Sequence, residues 1–235
     1  MTQTKNPPPP MDTAKKARVF IWVLLAVLVA VGVVWYTVFT LNKPAPAAQA
    51  PAAAAAAAAE AQLVREDSHR VTSPATEKAQ LVEFLDFECE ACLAAQPVVE
   101  ELKKEFGDRI TFVNRYFPLP AHRNSATAAL AVEAAAQQGK YEQMYAKMFE
   151  TQPQWGEKTE SQAPLFRTFA QELGLDLTAY DAAVADDKTK ERIKKDIADG
   201  TALGVKGTPT FFLNGEMLTL ETREQFRQLL ADAAK

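Results

Sequence analysis

The chain has 235 residues, 48% of them hydrophobic and 24% charged, and its formal net charge at pH 7 is −4. That length supports one good-sized domain with appendages, and a net negative chain without a basic patch excludes a nucleic-acid role, which rests on Lys and Arg against phosphate. Its two cysteines do not identify a compartment, because cytosolic redox proteins also use closely spaced pairs; localisation has to be read from the N-terminus.

Residues 1–18 are polar, carry the tract Pro7 to Pro10, and set Lys5, Lys15, Lys16 and Arg18 against one acid, Asp12. They read as a solvated tail, with docking of the proline run to a partner as the alternative. Residues 19–41 hold no charge and are dominated by Ile, Val, Leu, Phe and Trp, which predicts a single transmembrane helix able to cross about 30 Å of hydrocarbon. A cleavable signal peptide is the alternative, but the apolar run exceeds the usual core of about 7–15 residues, and Ala48-Gln49-Ala50 is followed by Pro51, a poor cleavage residue. Basic residues precede the span and only Lys43 follows closely, so the charge bias places the tail in the cytoplasm and the rest beyond the cytoplasmic membrane. Residues 42–62 are mostly Ala and Pro, with alanine from Ala52 to Ala59, a linker composition reaching at most roughly 70 Å when extended.

The folded domain is expected over 63–235. His69 to Thr72 reads as an edge strand, and Leu81 to Phe87 as a short buried strand. Directly after it stand Cys89-Glu90-Ala91-Cys92, and then a helix to Phe106 with Leu93, Val98, Leu102 and Phe106 on one stripe and Pro97 as a kink inside it. At a helix start the first N–H groups lack intrahelical acceptors and the dipole favours an anion, so Cys89 stands where a thiolate is stabilised and should be exposed. Cys92, one turn on, is placed to attack a mixed disulfide formed at Cys89. Two other uses of the pair remain open: half of a zinc site, for which His69 and His122 are the only histidines, and a static disulfide, whose tiny loop constrains the unfolded chain little.

A second strand is expected over Ile110 to Phe117, giving β-α-β with a parallel pair. After Pro118-Leu119-Pro120 the pattern turns helical, with His122 read as a surface or helix-start residue. Tyr141, Met144, Tyr145, Met148 and Phe149 form one core stripe, and Leu165, Phe166, Phe169 and Leu173 a second. Ile193, Ile197 and Leu203 mark a further helix whose charged residues Lys190, Glu191, Arg192, Lys194 and Lys195 read as a solvated face. Thr210 to Leu213, Asn214-Gly215 and Glu216 to Leu220 signal a hairpin, and a last helix starts with the capping box Thr222 and Gln225.

The order strand, C-x-x-C helix, strand, helical insert (about 121–187), helix, hairpin, helix resembles the thioredoxin fold, an α/β architecture. Arg115-Tyr116-Phe117-Pro118-Leu119, Gln137-Gln138-Gly139-Lys140-Tyr141 and Trp155 make it similar to the DsbA-type branch, bacterial extracytoplasmic thiol–disulfide oxidoreductases with a helical domain inserted in that fold. The resemblance implies protein thiols and disulfides as substrates, a redox partner, and no metal or organic cofactor. It implies that Gly207-Thr208-Pro209-Thr210 is a loop with a cis proline against the cysteines, where Thr208 and Pro209 meet an extended substrate strand. It further implies that Glu83, six residues before Cys89, is a buried acid that moves protons at Cys92. The dipeptide Glu90-Ala91 departs from both the Pro-His of strong DsbA oxidases and the Gly-Pro of thioredoxin. With Asp86 and Glu88 beside it, it is expected to offset much of the helix-start effect on Cys89 and make the disulfide less oxidising. Disulfide formation is the expected direction, with reduction or isomerisation, or a tethered binding module with incidental cysteines, as alternatives.

Overall fold

Strand β2 (Ala79–Leu85) is buried at every position except Gln80, and a strand buried on both faces needs cover on both. β1 (His69–Arg70) pairs antiparallel with β3 (Ile110–Tyr116), β3 runs parallel to β2 with Leu85 opposite Tyr116, and β4 (Thr210–Leu213) pairs antiparallel with β2 and with β5 (Glu216–Met217). The sheet order among the described residues is β1-β3-β2-β4-β5. This mixed α/β sheet with its helical insertion is the thioredoxin-type order that the sequence implied.

These elements come from a computed structural model that describes residues 61–235 together with 28 and 30–32. The chain divides into two units, Met1–Pro51 and Ala52–Lys235. The span expected at 19–41 and the linker expected at 42–62 fall outside the described residues, apart from these few positions. Among the described residues no helix is long and apolar enough to cross a membrane.

Strand alternation sorts the core. Leu81 faces α1 (Glu90–Phe106) and α7 (Arg223–Ala233), packing with Val99, Leu102, Phe226 and Leu230. Val82 and Phe84 face the opposite way, toward Phe117, Val205, Phe212 and the C-terminal half of α6 (Asp187–Ala202). The insert is α2 (Ser125–Ala136), α3 (Tyr141–Trp155), α4 (Ala163–Glu172) and α5 (Leu177–Ala185), whose apolar sides enclose Leu85, Phe87, Cys89 and Cys92 in a third cluster. Both stripes read from the sequence lie there, with Met144, Met148, Phe149, Phe166 and Phe169 buried.

The hairpin turns through Asn214 and Gly215 with φ of 51° and 91°, the left-handed pair that a two-residue turn of this hand requires. Its second strand is shorter than expected, ending at Met217. At α7 the Thr222 hydroxyl accepts from Gln225 N as a capping box should, while Gln225 Oε1 accepts from Glu221 N, one residue before the cap.

One expectation on α6 is overturned. Arg192 does not belong to the solvated face: it is buried, with Nη1 3.2 Å from Asp196, Nε 3.3 Å from Glu133 on α2, and Nη2 donating to Asp67 O. A charge run seen in one dimension hides which members turn inward, and here paired carboxylates make the inward turn affordable.

Candidate active site

Cys89 is the N-cap of α1, with φ −74° and ψ 122°, and its carbonyl accepts the first intrahelical bond from Leu93 N at 3.1 Å. An N-cap Ser or Asp would offer oxygen to the free N–H groups of the first turn; here the position is held by sulfur, which makes no side-chain cap bond, while the Cys92 and Ala91 N–H groups favour its thiolate form. The Cys89 thiol is pulled down to about 5, foremost by a hydrogen bond from the Cys92 thiol, against the upward pull of burial, and then by the Thr208 side chain. Cys92 is pushed far up, by burial first, then by sharing its proton with Cys89, then by the charge of Glu83. Both cysteines are free thiols. Cys89, expected to be exposed, is only 7% accessible, against 1% for Cys92, because the insert closes over the start of α1.

The loop before β4 completes this side. The Thr208–Pro209 peptide bond is cis, and the Cys89 thiol donates to Thr208 O at 3.3 Å. The Thr208 hydroxyl is buried without a partner beside a neutral thiol, and becomes a donor once Cys89 is a thiolate. Glu83 lies on β2, on the side that faces α1, 3% accessible, with Oε2 unpartnered; burial, then the charge of Glu100, push its carboxyl up to about 8. The structure therefore brings Cys89, Cys92, Glu83, Thr208 and Pro209 together from three segments of the chain.

The acids of the loop behave otherwise than expected. Glu90 is exposed, at the first turn of α1. Glu88 is buried, with Oε2 accepting Asn124 N at 2.6 Å and Oε1 accepting Glu157 N at 3.0 Å, so it ties the start of the insert to the turn after α3. Asp86, also buried, accepts Glu88 N at 2.9 Å, Leu119 N at 2.9 Å and His122 Nδ1 at 2.6 Å. His122 is consequently no plain surface residue: its side chain is 23% accessible, and although burial works against it, the bond to Asp86 raises its pKa. The expectation that three neighbouring carboxylates would cancel the helix-start effect is not met: burial pushes the Asp86 carboxyl up against its three donors, Glu88 is held by two backbone N–H groups, and Glu90 points to solvent.

Gln152 was missed altogether. Buried on α3, its amide donates to Phe87 O at 2.7 Å and to Cys89 O at 3.0 Å, satisfying both carbonyls that flank Glu88. Its signal was its place: it follows Tyr141, Tyr145 and Met148 on the core stripe, where a polar residue has to be meeting a buried partner. Among the described residues no group of three or more His, Cys, Asp or Glu side chains is arranged to hold a metal ion.

A buried thiol pair at a helix start, facing a cis-proline loop on a mixed sheet, defines the thioredoxin class. The thioredoxin family model Thioredoxin_4 matches residues 66–232, and the chain belongs to that family. The Na(+)/H(+) antiporter NhaA 1 of Mycobacterium sp. (strain KMS) is 36% identical over 141 residues, 58% of this chain and 22% of the antiporter. The Na(+)/H(+) antiporter NhaA of Herminiimonas arsenicoxydans is 34% identical over 148 residues, 63% of this chain and again 22% of the antiporter. The match thus spans about a fifth of the length of these relatives. Among solved structures, a thioredoxin-like oxidoreductase from Silicibacter pomeroyi DSS-3 superposes with a TM-score of 0.61 at 24% identity, covering 73% of this chain and 94% of that one. The α-DsbA1 of Wolbachia pipientis gives 0.63 at 18%, covering 73% and 92%, so the fold is that of DsbA-like proteins.

Proposed function

We propose that the chain exchanges disulfides with protein thiols through Cys89 and Cys92, that disulfide formation is its direction, and that it works from a membrane anchor outside the cytoplasm. The observation that carries the chemistry is a buried pair of free thiols at the start of α1, with Cys89 3.3 Å from Thr208 O of the cis-proline loop, a setting that pulls Cys89 down to about 5 and pushes Cys92 far up. A substrate thiolate attacks Cys89 Sγ of the Cys89–Cys92 disulfide; the new sulfur–sulfur bond forms as the internal one breaks, and its electron pair leaves on Cys92. Burial makes that thiolate costly, so it takes a proton, and Glu83, protonated at neutral pH with its pKa near 8, is the group placed to supply it. A second substrate thiolate then attacks the substrate sulfur, and Cys89 leaves as a stable thiolate, which favours oxidation of the substrate. A redox partner, itself a disulfide or a membrane oxidant, must remove the two electrons gained. Thr208 and Pro209 line the side of Cys89 where the substrate strand pairs.

The roles of the two thiols are tested by trapping. Cys92→Ala should accumulate mixed disulfides with substrate proteins and Cys89→Ala none; equal trapping by both would overturn the assignment.

The anchor rests on the uncharged residues 19–41 with basic residues before them. That a matching stretch lies within Na(+)/H(+) antiporters supports a membrane setting. Protease added to intact spheroplasts should remove the domain, and either protection or a purified N-terminus near Pro51 would refute the topology.

A further inference from the structure

Around the start of α1, among the described residues, the side chains that can bear charge include Asp86, Glu88 and Glu90 from the loop and first turn, His122 from the lead-in to α2, and Glu83 from β2, which with its pKa near 8 is uncharged where Cys89 titrates. Glu88 is enclosed by two backbone donors, Asn124 N and Glu157 N, and Glu90 points to solvent. That leaves Asp86 and His122. Asp86 reaches the nucleophile through its own backbone, since Asp86 O accepts Cys89 N at 3.2 Å while its carboxylate holds Glu88 N. His122 is fixed from both ends: its N–H donates to Leu119 O, and Nδ1 lies 2.6 Å from an Asp86 side chain that is fully enclosed. Burial pushes the Asp86 carboxyl up, while two backbone donors and the imidazole pull it the other way, and the short contact to Nδ1 raises the imidazole toward the imidazolium.

We infer that His122 is a positioning residue for Cys89: pinned by Asp86, it supplies a cation beside the loop that leads into α1, offsets the Asp86 charge and so sets how much of Cys89 is thiolate. The Cys89 charge and those of Asp86 and Glu88 all act on the imidazole, in the direction that keeps it protonated, so thiolate and imidazolium support each other. This role rests on the proposed thiol chemistry of Cys89, and its test is independent of any substrate. A structural role alone would ask only that some donor reach Asp86, whereas the proposed role asks for charge.

Two substitutions separate these. His122→Asn keeps a side-chain N–H in the place of Nδ1 and removes the charge, while Asp86→Asn removes the carboxylate and leaves the histidine. The reading is thiolate absorbance near 240 nm against pH, on the reduced full-length protein with no other change as the background, in which Cys92 is pushed too far up to titrate with Cys89. The Cys89 midpoint in the background protein is the reference. His122→Asn should raise it by about one pH unit, a roughly tenfold loss of thiolate at any pH below both midpoints. Asp86→Asn should lower it, because near pH 5 the imidazole is still charged when the acid is gone. Opposite signs are the signature of a charge pair. An unmoved midpoint in His122→Asn, or shifts of the same sign in both variants, would reduce the pair to a loop clamp and overturn the inference. A Cys89 that shows no low-pH thiolate even in the background protein would instead count against the proposed chemistry. Thermal unfolding of each variant guards against a fold defect, and if Asp86→Asn unfolds, His122→Gln against His122→Lys supplies the same comparison of charge at constant backbone. Lys should then restore the background midpoint and Gln should not.

Discussion

Glu83 holds a buried carboxyl whose pKa is raised to about 8, by desolvation first and then by the Glu100 charge, and the sign of its linkage follows. A group whose folded pKa lies above its unfolded value contributes stability that is present at low pH and lost as pH rises through the folded value. Wild type should therefore lose stability between about pH 4.5 and 8, and Glu83→Gln should lose less. The difference in melting temperature, variant minus wild type, should be more positive at pH 8 than at pH 4, by several degrees at about 2–4 °C per kcal/mol. An equal difference at both pH values would mean that the carboxyl is solvated. The same variant should prolong mixed disulfides, since the proton for Cys92 is gone; trapping with time measures it. Residues of this kind differ in how far the sequence exposes them. The burial of Glu83 was legible only through the resemblance, six residues before Cys89, and the cysteines through their spacing. His122 and Arg192 were not, since both earn their role from a partner 36 and 59 positions away, Asp86 and Glu133, and no local pattern encodes such a meeting.

At the scale of elements the strands and helices were legible wherever period and caps agreed. The Asn214-Gly215 turn and the stripes of α3 and α4 stand where they were read, while the strand read over Leu81 to Phe87 runs Ala79–Leu85, two residues earlier. What one dimension conceals is closeness of approach. α6 crosses the sheet at Gly200, where a Cβ would lie 2.8 Å from the Phe117 ring and 2.9 Å from that of Phe84. Gly200→Ala gains about 1 kcal/mol of helix propensity, yet it drives a methyl between two core rings, and overpacking of that kind costs roughly 1–3 kcal/mol. Destabilisation should win, by about 1 kcal/mol net in urea unfolding, with α6 displaced from the sheet. A stabilised variant would show that the rings relax without cost.

For the whole domain, the long-range ties are polar. Arg115, inside β3 and fully buried, donates Nε to Asp196 at 2.8 Å, Nη2 to Asp199 at 2.7 Å, and Nη1 to the carbonyls of Gln62 and Leu63 at 2.9 and 2.6 Å. One guanidinium thus joins the central sheet to α6 and to the segment that enters the domain, and Arg65 adds a second hold on Asp199. Burial opposes ionisation of Asp199, but the bonds from Arg65 and Arg115 hold its carboxyl below the usual carboxylate range. In wild type this depressed pKa contributes stability above the unfolded value that is lost as the pH falls through the folded one. Arg115→Met keeps much of the volume and removes the shared cation, leaving buried carboxylates short of a partner, a change that costs about 3 kcal/mol or more. The pH slope should also reverse: with less to hold its charge, Asp199 would gain from protonation, so the deficit against wild type should shrink as the pH is lowered from 7 toward 4. Unfolding in urea at the two pH values measures both terms. A deficit that stays constant with pH would place the loss in the carbonyl bonds to residues 62 and 63, and not in the charge cluster.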